Sequence, residues 1–279
     1  MFRTSRGKLY IPQNTNSQAT RFFLDLTNPS KAIKMKNSFF SAKRLTLFLL
    51  VSYLFSACAA QSPALYQADL EKAYHSAVLD AERAEPSEIS KNLIAVVPSN
   101  PQLVWKNKND AQNARILVVT WTDYNGYDDK IGQSLNLSRE VWVTTAPEVK
   151  NFCKTLKENR VLRLEQLLGL PAKAGKTKFV EMWVKPDDLF RPSADPEISD
   201  SEAETEFRTA NKFVKVSDDY VKWYNELKMK SYGDKGYPWT RLGYTYDWGD
   251  KRRHIGLSEF VIMPGATVEI NAISTTMEY

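Results

Sequence analysis

The segment Arg115–Thr122, RILVVTWT, restricts the fold of this chain more than any other. Apolar and β-branched residues follow one another there, without the alternation of a half-exposed strand. Such a run is typical of a strand that is covered on both faces, so the surrounding domain needs a sheet between two layers. Apolar residues make up 43% of the 279 residues, which is enough for such a core and excludes a wholly disordered or collagen-like chain.

Helical and strand patterns surround this segment without a regular β-α alternation. Helices are predicted from Ser62-Pro63 to about Arg83, over 146–156, over 161–168 before Gly169, and from Ser217 to about Gly233. Further strands are predicted over 93–97, 140–145, 178–184, 239–248, 256–263 and 267–274. The sequence therefore predicts a single compact α+β domain, with a mainly antiparallel or mixed sheet and three to four helices.

The N-terminal region has the composition of an export signal. Residues 45–57, LTLFLLVSYLFSA, are uncharged and follow Lys43-Arg44. The apolar run is too short to span a bilayer comfortably, because a membrane helix needs about 20 apolar residues. Signals run about 15–30 residues, so translation from Met35 gives a signal over 35–57. Residues 1–34 are then an upstream extension outside the functional product.

The end of this signal, Leu54-Phe55-Ser56-Ala57-Cys58, resembles the lipobox of bacterial lipoproteins, with Phe55 where leucine is usual. The resemblance covers about residues 35–60. It implies that Cys58 is acylated, for example with palmitate, and becomes the new N-terminus. A tether over 58–64 would then hold a domain over 65–279 at the outer membrane or periplasmic face of a bacterial envelope. Cleavage after Ala59 and a retained anchor are alternatives.

The basic charge of the chain lies mostly in this N-terminal region. The formal net charge is +5, and residues 1–57 hold nine basic side chains and one acidic one, which leaves −3 for the rest. The local basic cluster in the rest is Lys251-Arg252-Arg253. A nucleic-acid partner is therefore not expected, because phosphate binding requires a larger basic surface.

The residues that usually carry nucleophilic or metal chemistry are scarce. Cys153 is the one thiol after Cys58, and it falls on the apolar stripe of its predicted helix, which favours core packing. The oxygen-rich Asp123–Asp129 segment lacks the spacing of a calcium loop and predicts a turn. No glycine-rich phosphate loop follows a strand, and a Gly-x-Ser-x-Gly motif is absent from the sequence. No metal and no cofactor are predicted.

Aromatic residues are concentrated between Gly236 and Gly249. Strand geometry places Tyr244, Tyr246 and Trp248 on one face, where amphipathic rings could stack on sugars or peptide side chains, although core packing explains them too. A turn at 249–252 would bring His254 near Trp248. The candidate binding residues are Tyr237, Trp239, Arg241, Tyr244, Tyr246 and Trp248. The candidate acid-base residues are Glu181, Asp247, His254 and Glu259.

Three functions are compatible with these patterns. The first is an envelope lipoprotein with a binding or structural module for an envelope carbohydrate or protein. The second is an envelope hydrolase of carbohydrate or peptide, which would need carboxylates at a defined separation. The third is an accessory subunit that binds its partner through the acidic 187–206 segment, which holds eight acids and one base, Arg191. Such a segment is expected to be a solvated loop, with Asp188–Pro192 docked on the body.

Overall fold

The computed structural model describes residues 63–207, 216–233 and 235–279. The predicted extension, the signal and Cys58 lie outside the described residues. The described residues belong to one compact unit, which confirms the predicted α+β domain. None of the described helices is both long and apolar enough to cross a membrane.

The segment Arg115–Thr122 is the second of ten strands in the described part of the chain. They are β1 (Trp105–Lys106), β2 (Arg115–Thr122), β3 (Ser134–Asn136), β4 (Val141–Thr145), β5 (Lys178–Val184), β6 (Leu189–Phe190), β7 (Tyr244–Tyr246), β8 (Ile255–Ser258), β9 (Phe260–Ile262) and β10 (Thr267–Thr275). Eight of them form an antiparallel sheet in the order β3-β10-β5-β2-β4-β9-β6, with β1 also on β2. Strands β7 and β8 form a separate hairpin.

The two faces of the large sheet carry different covers. Ile116 and Val118 of β2 point to one face, which is covered by segments without regular structure that contribute residues such as Ile94 and Leu137. Leu117 and Val119 point to the other face. Because both sets are buried, β2 is covered on both sides as its composition predicts.

Four α-helices occur in the described part of the chain: α1 (Pro63–Ala81), α2 (Ala146–Thr155), α3 (Arg160–Leu167) and α4 (Asp218–Ser231). Helices α2 and α3 cover the Leu117 face, and Cys153 of α2 is 1% exposed in that core, as expected. Gly169 follows α3 with a φ of 65°, a conformation that favours glycine. Ser217 caps α4 by accepting a hydrogen bond from the Tyr220 N–H at 3.2 Å.

The predicted C-terminal strands are shorter than expected. The 239–248 strand is reduced to β7, because Arg241 and Gly243 have φ angles of 60° and 74° that interrupt an extended chain. The predicted 256–263 strand is two strands: β8 pairs with β7, whereas β9 pairs with β4 and β6. Glu259 is the residue between them, where the chain passes from the hairpin into the large sheet.

The prediction of a strand over 93–97 is wrong, because this segment joins no ladder. The N–H groups of Leu93 and Val96 instead donate to the carbonyls of Ser201 and Ile198, at 3.0 and 2.7 Å.

The carbonyls of Ser201 and Ile198 lie in the acidic 187–206 segment. The segment is thus packed on the body rather than fully solvated, and its Ala203 is 1% exposed. The predicted docking of Asp188–Pro192 is confirmed by Arg191, which is fully buried.

Candidate functional site

The predicted row of aromatic residues is covered by other parts of the chain. Tyr244, Tyr246 and Trp248 are each buried, so of the two explanations of their alternation, an exposed stacking face and core packing, the structure shows core packing. The Tyr246 hydroxyl donates to Asp80 of α1 at 2.7 Å, and the Trp248 ring meets Tyr74 of α1 edge to face at 5.9 Å. The Tyr244 hydroxyl donates to the Glu88 carbonyl at 2.9 Å, beyond the end of α1. A ligand-binding role for Tyr244 and Trp248 stays a prediction.

Arg241 also binds to α1, at its C-terminal end. Its guanidinium donates to the carbonyls of Ala81 and Glu82, at 3.4 and 2.6 Å, and lies 5.5 Å from the centre of the Tyr232 ring. Carbonyls at the C-terminus of a helix lack partners within the helix and carry partial negative charge, so a cation stabilises them. Arg241 is therefore committed to the end of α1.

Three of the four acid-base candidates have their own local partners. Glu181 of β5 contacts Lys150 at 2.6 Å, and it accepts hydrogen bonds from Asn271 and Tyr279. Asp247 is held by both terminal nitrogens of Arg163, at 2.8 and 2.6 Å. These two carboxylates line neither of the chambers described below.

His254 is placed by the β7–β8 hairpin. Its Nδ1 lies 2.6 Å from the Tyr246 hydroxyl, and the two rings stack with centres 4.8 Å apart. The predicted turn is correct, but the ring of His254 stacks on Tyr246, two residues before the predicted neighbour Trp248. The four candidates Glu181, Asp247, His254 and Glu259 therefore do not converge on one site.

Glu259 lies at a cavity with two adjoining chambers, which we call the aromatic cavity. The inner chamber has a volume of about 130 Å³ and lies on the helix-covered face of the sheet. The outer chamber has a volume of about 320 Å³, and both chambers are partly open to solvent. Five residues line both chambers: Trp142, Leu168, Leu170, Thr245 and Glu259.

Aromatic rings form much of the wall of the outer chamber. Trp142 of β4 meets the Tyr237 ring at 6.4 Å and the Trp239 ring at 6.3 Å, with interplanar angles of 79° and 87°. Pro238 and Tyr246 also line this chamber. Tyr237, Trp239 and Tyr246 are thus the predicted binding residues that the structure brings to the cavity.

The polar atoms of this wall are mostly committed to the protein. The Trp239 indole N–H donates to the Pro192 carbonyl at 3.1 Å, and the Trp142 indole N–H donates to Glu140 at 3.4 Å. The Thr245 hydroxyl donates to the Leu167 carbonyl at 2.6 Å and accepts from the Leu257 N–H at 2.9 Å. These groups orient the wall and leave little hydrogen-bonding capacity for a ligand.

The Glu259 side chain, unlike these other polar groups of the wall, has no partner within the described part of the protein. Within the described part of the chain, no group donates a hydrogen bond to its carboxylate and no cation pairs with it, whereas its backbone N–H donates to the Gly243 carbonyl at 3.0 Å. Burial raises the pKa of this carboxyl to about 8, because an ionised group without donors is poorly solvated there. Glu259 is thus a half-buried acid in a largely apolar, aromatic wall.

Glu148 is a second perturbed carboxyl close to this region. It accepts hydrogen bonds from the Ser258 N–H at 3.5 Å and from the Thr145 hydroxyl at 3.4 Å. Desolvation nevertheless raises its pKa to about 7. Its spacing from Thr145 suggests a capping box, but the Thr145 side chain makes no capping hydrogen bond to the helix backbone.

The cavity residues Trp142, Leu168, Leu170 and Thr245 are absent from the candidates found in the sequence. Trp142 belongs to a strand and Leu168 to the apolar stripe of α3, and both patterns predict ordinary core packing. The one available signal was Glu259 itself, an acid between the apolar residues of two adjoining strands.

Other kinds of site find no support in the described part of the chain. It contains no group of three His, Cys, Asp or Glu residues that could hold a metal ion. Burial raises the pKa of the Cys153 thiol, which disfavours the reactive thiolate. Neither a protein-family model, nor a curated protein, nor a solved structure matches the chain.

Proposed function

We propose that this chain is a bacterial envelope lipoprotein whose α+β domain is a binding module, with the aromatic cavity as the ligand site. The observation that carries the binding role is the Glu259 carboxylate, which stands without a partner in a largely apolar and aromatic cavity. Pockets of this kind, with apolar walls and few convergent polar groups, are typical of small-molecule sites. The perturbed pKa of Glu259 adds to the argument.

The anchoring part of the proposal rests on the lipobox-like residues before Cys58. An acyl chain on this residue, together with a second lipid chain, would hold the binding module at a bilayer surface. The ligand would then be captured within the envelope. Carbohydrate and protein partners of the envelope remain predictions, and the cavity favours a compact molecule over an extended chain.

The hydrolase alternative is less well supported by the geometry. Its acid would be Glu259, since a carboxyl with a pKa near 8 holds a proton at neutral pH. Hydrolysis of a glycoside needs a second carboxyl across the bond that breaks. Among the described residues, no other acid lines either chamber of the cavity. We therefore propose binding rather than hydrolysis.

Filling the cavity should abolish binding. Leu168→Trp adds a large ring where the two chambers meet, so the affinity of the full chain for a compact apolar probe, 3,3-dimethylbutan-1-ol, should fall at least tenfold. The measurement is the fluorescence of the lining tryptophans during titration, supported by ligand-observed NMR. Val161→Trp places the same ring on the exposed side of α3 and should leave binding unchanged. Equal binding by wild type and Leu168→Trp, or no saturable binding by wild type, would contradict the proposal.

Removing the thiol of Cys58 should release the protein from the membrane. We expect Cys58→Ala to move the chain from the membrane fraction to the soluble or unprocessed fraction in a bacterial host, because the acyl chains can no longer be attached. Metabolic labelling with a palmitate analogue should be lost in parallel. Cys153→Ala is the matched control and should stay labelled and membrane-bound. Unchanged fractionation and labelling of Cys58→Ala would refute the anchor.

A further inference from the structure

The charge of the cavity wall restricts the ligand more narrowly than its shape. Glu259 is the one acidic or basic side chain among the residues that line the two chambers in the described part of the chain. No lysine, arginine or histidine there can neutralise it. An ionised carboxylate in such a wall is costly unless a positive charge comes to it. The missing positive charge can be supplied by a ligand.

The aromatic rings of the cavity also favour a positively charged ligand. The Tyr237 and Trp239 rings each meet the Trp142 ring nearly at right angles, so the wall presents both ring faces and ring edges. A cation within about 6 Å of an aromatic ring face is attracted by the ring quadrupole, and tryptophan attracts it most strongly. Rings grouped around a small volume, together with a carboxylate, form a cage that favours a cation over a neutral molecule of equal size.

The cavity offers few hydrogen-bond acceptors, and this favours methylated ammonium groups over primary ones. A primary ammonium carries three N–H donors and loses free energy when they are buried without acceptors. The Thr245 hydroxyl already has protein partners, and the two indole N–H groups can only donate, so Glu259 is the one charged acceptor among the described residues of the wall. A methylated ammonium has few or no N–H groups to satisfy, and its methyl groups pack on the rings.

We propose that the aromatic cavity binds an organic cation of the quaternary or highly methylated ammonium class, with the cationic head against the aromatic wall of Trp142, Tyr237 and Trp239 and its charge balanced by Glu259. This inference rests on the proposed binding function, because it names the class of ligand for the same cavity. The volume of about 320 Å³ in the outer chamber suits a head group rather than a large molecule.

Choline and 3,3-dimethylbutan-1-ol form a matched pair of probes, because they share one shape and differ in the positive charge of the head. At pH 9, where the Glu259 carboxyl is ionised, the full chain should bind choline at least tenfold more tightly than the neutral alcohol. In Glu259→Gln this preference should fall severalfold, because the charge of the site is gone and its shape is kept, and the preference that remains comes from the aromatic rings. Circular dichroism checks that the variant is folded.

A second variant keeps the test decisive if Glu259→Gln folds poorly. Trp142→Leu retains the carboxylate and removes an aromatic ring, so it should weaken choline binding severalfold more than binding of the alcohol. Equal affinity of wild type for both probes would overturn the cation proposal and leave the binding cavity standing. Failure of wild type to bind either probe would overturn both. A choline preference as large in Glu259→Gln as in wild type would refute the role of this residue.

Discussion

Replacing Arg191 with alanine is expected to lower the free energy of unfolding by about 2–4 kcal/mol, because a fully buried side chain and its hydrogen bonds are removed. The guanidinium is fully buried, and it joins its own segment to residues 200–202 and to the Ile94 carbonyl, at 3.5 Å. One nitrogen donates to the Asp200 carboxylate at 2.8 Å and to the Glu202 carbonyl at 2.6 Å, and another donates to the Asp200 carbonyl at 2.9 Å. Its loss leaves these acceptors without donors and opens a cavity.

The shape of the guanidinium matters as much as its charge. Arg191→Lys should recover only a small part of the loss, since an ammonium cannot reach carbonyls on two sides of a planar fork. Arg252→Ala is the control, because Arg252 is exposed and lies 3.6 Å from Asp250, so the unfolding midpoint should not move. The measurement is chemical denaturation at neutral pH. A loss for Arg191→Ala no larger than that of the control would mean that the acidic segment is not held by this residue.

Arg191 also shows where sequence patterns stop being informative. Eight acids between Asp187 and Glu206 predict a solvated loop, and that interpretation counts charges along the chain. The structure instead binds the loop through one arginine and through backbone hydrogen bonds to the 93–97 segment. The backbone hydrogen bonds join residues distant in sequence, and the Arg191 contacts bridge nine and eleven residues, so local periodicity carries no signal for either.

The elements that could be predicted are those with their own strong pattern. The strands β2 and β5 and the helices α2, α3 and α4 follow from apolar runs, helical spacing and caps, and they establish the α+β class. The prediction of one strand over 256–263 fails, because the chain changes sheet at Glu259. Strand β8 pairs with β7, whereas β9 pairs with β4. A continuous apolar run from 256 to 263 cannot reveal that change.

The site was predictable only in part for a related reason. Tyr237, Trp239, Tyr246 and Glu259 could be named from the concentration of aromatics and acids in one segment. The alternation of β7 correctly groups Tyr244, Tyr246 and Trp248, but it does not say that α1, more than 160 residues earlier, covers Tyr246 and Trp248. The opposite wall of the cavity comes from Trp142 and Leu168. Only the packing of α3 and β4 around the hairpin brings these residues to Glu259.

The two perturbed carboxyls predict a stability that falls as the pH rises. The native protein keeps the Glu259 proton up to a pKa of about 8, whereas the unfolded chain releases it near 4.5. In the window between these values the unfolded state binds fewer protons, so the free energy of unfolding decreases with increasing pH. Glu148 acts in the same direction, but its window closes at about pH 7.

Glutamine variants separate the two groups, because each removes one titration and leaves the other. Relative to wild type, Glu259→Gln should gain about 2–4 kcal/mol of stability between pH 4.5 and 8, at about 1.4 kcal/mol per unit of pKa shift with an allowance for solvent in the cavity. The gain of Glu148→Gln should stop growing near pH 7. Denaturant unfolding at several pH values measures both. A Glu259→Gln difference that does not change with pH would mean that this carboxyl is ionised in the native protein, and the cavity would then lack its uncompensated acid.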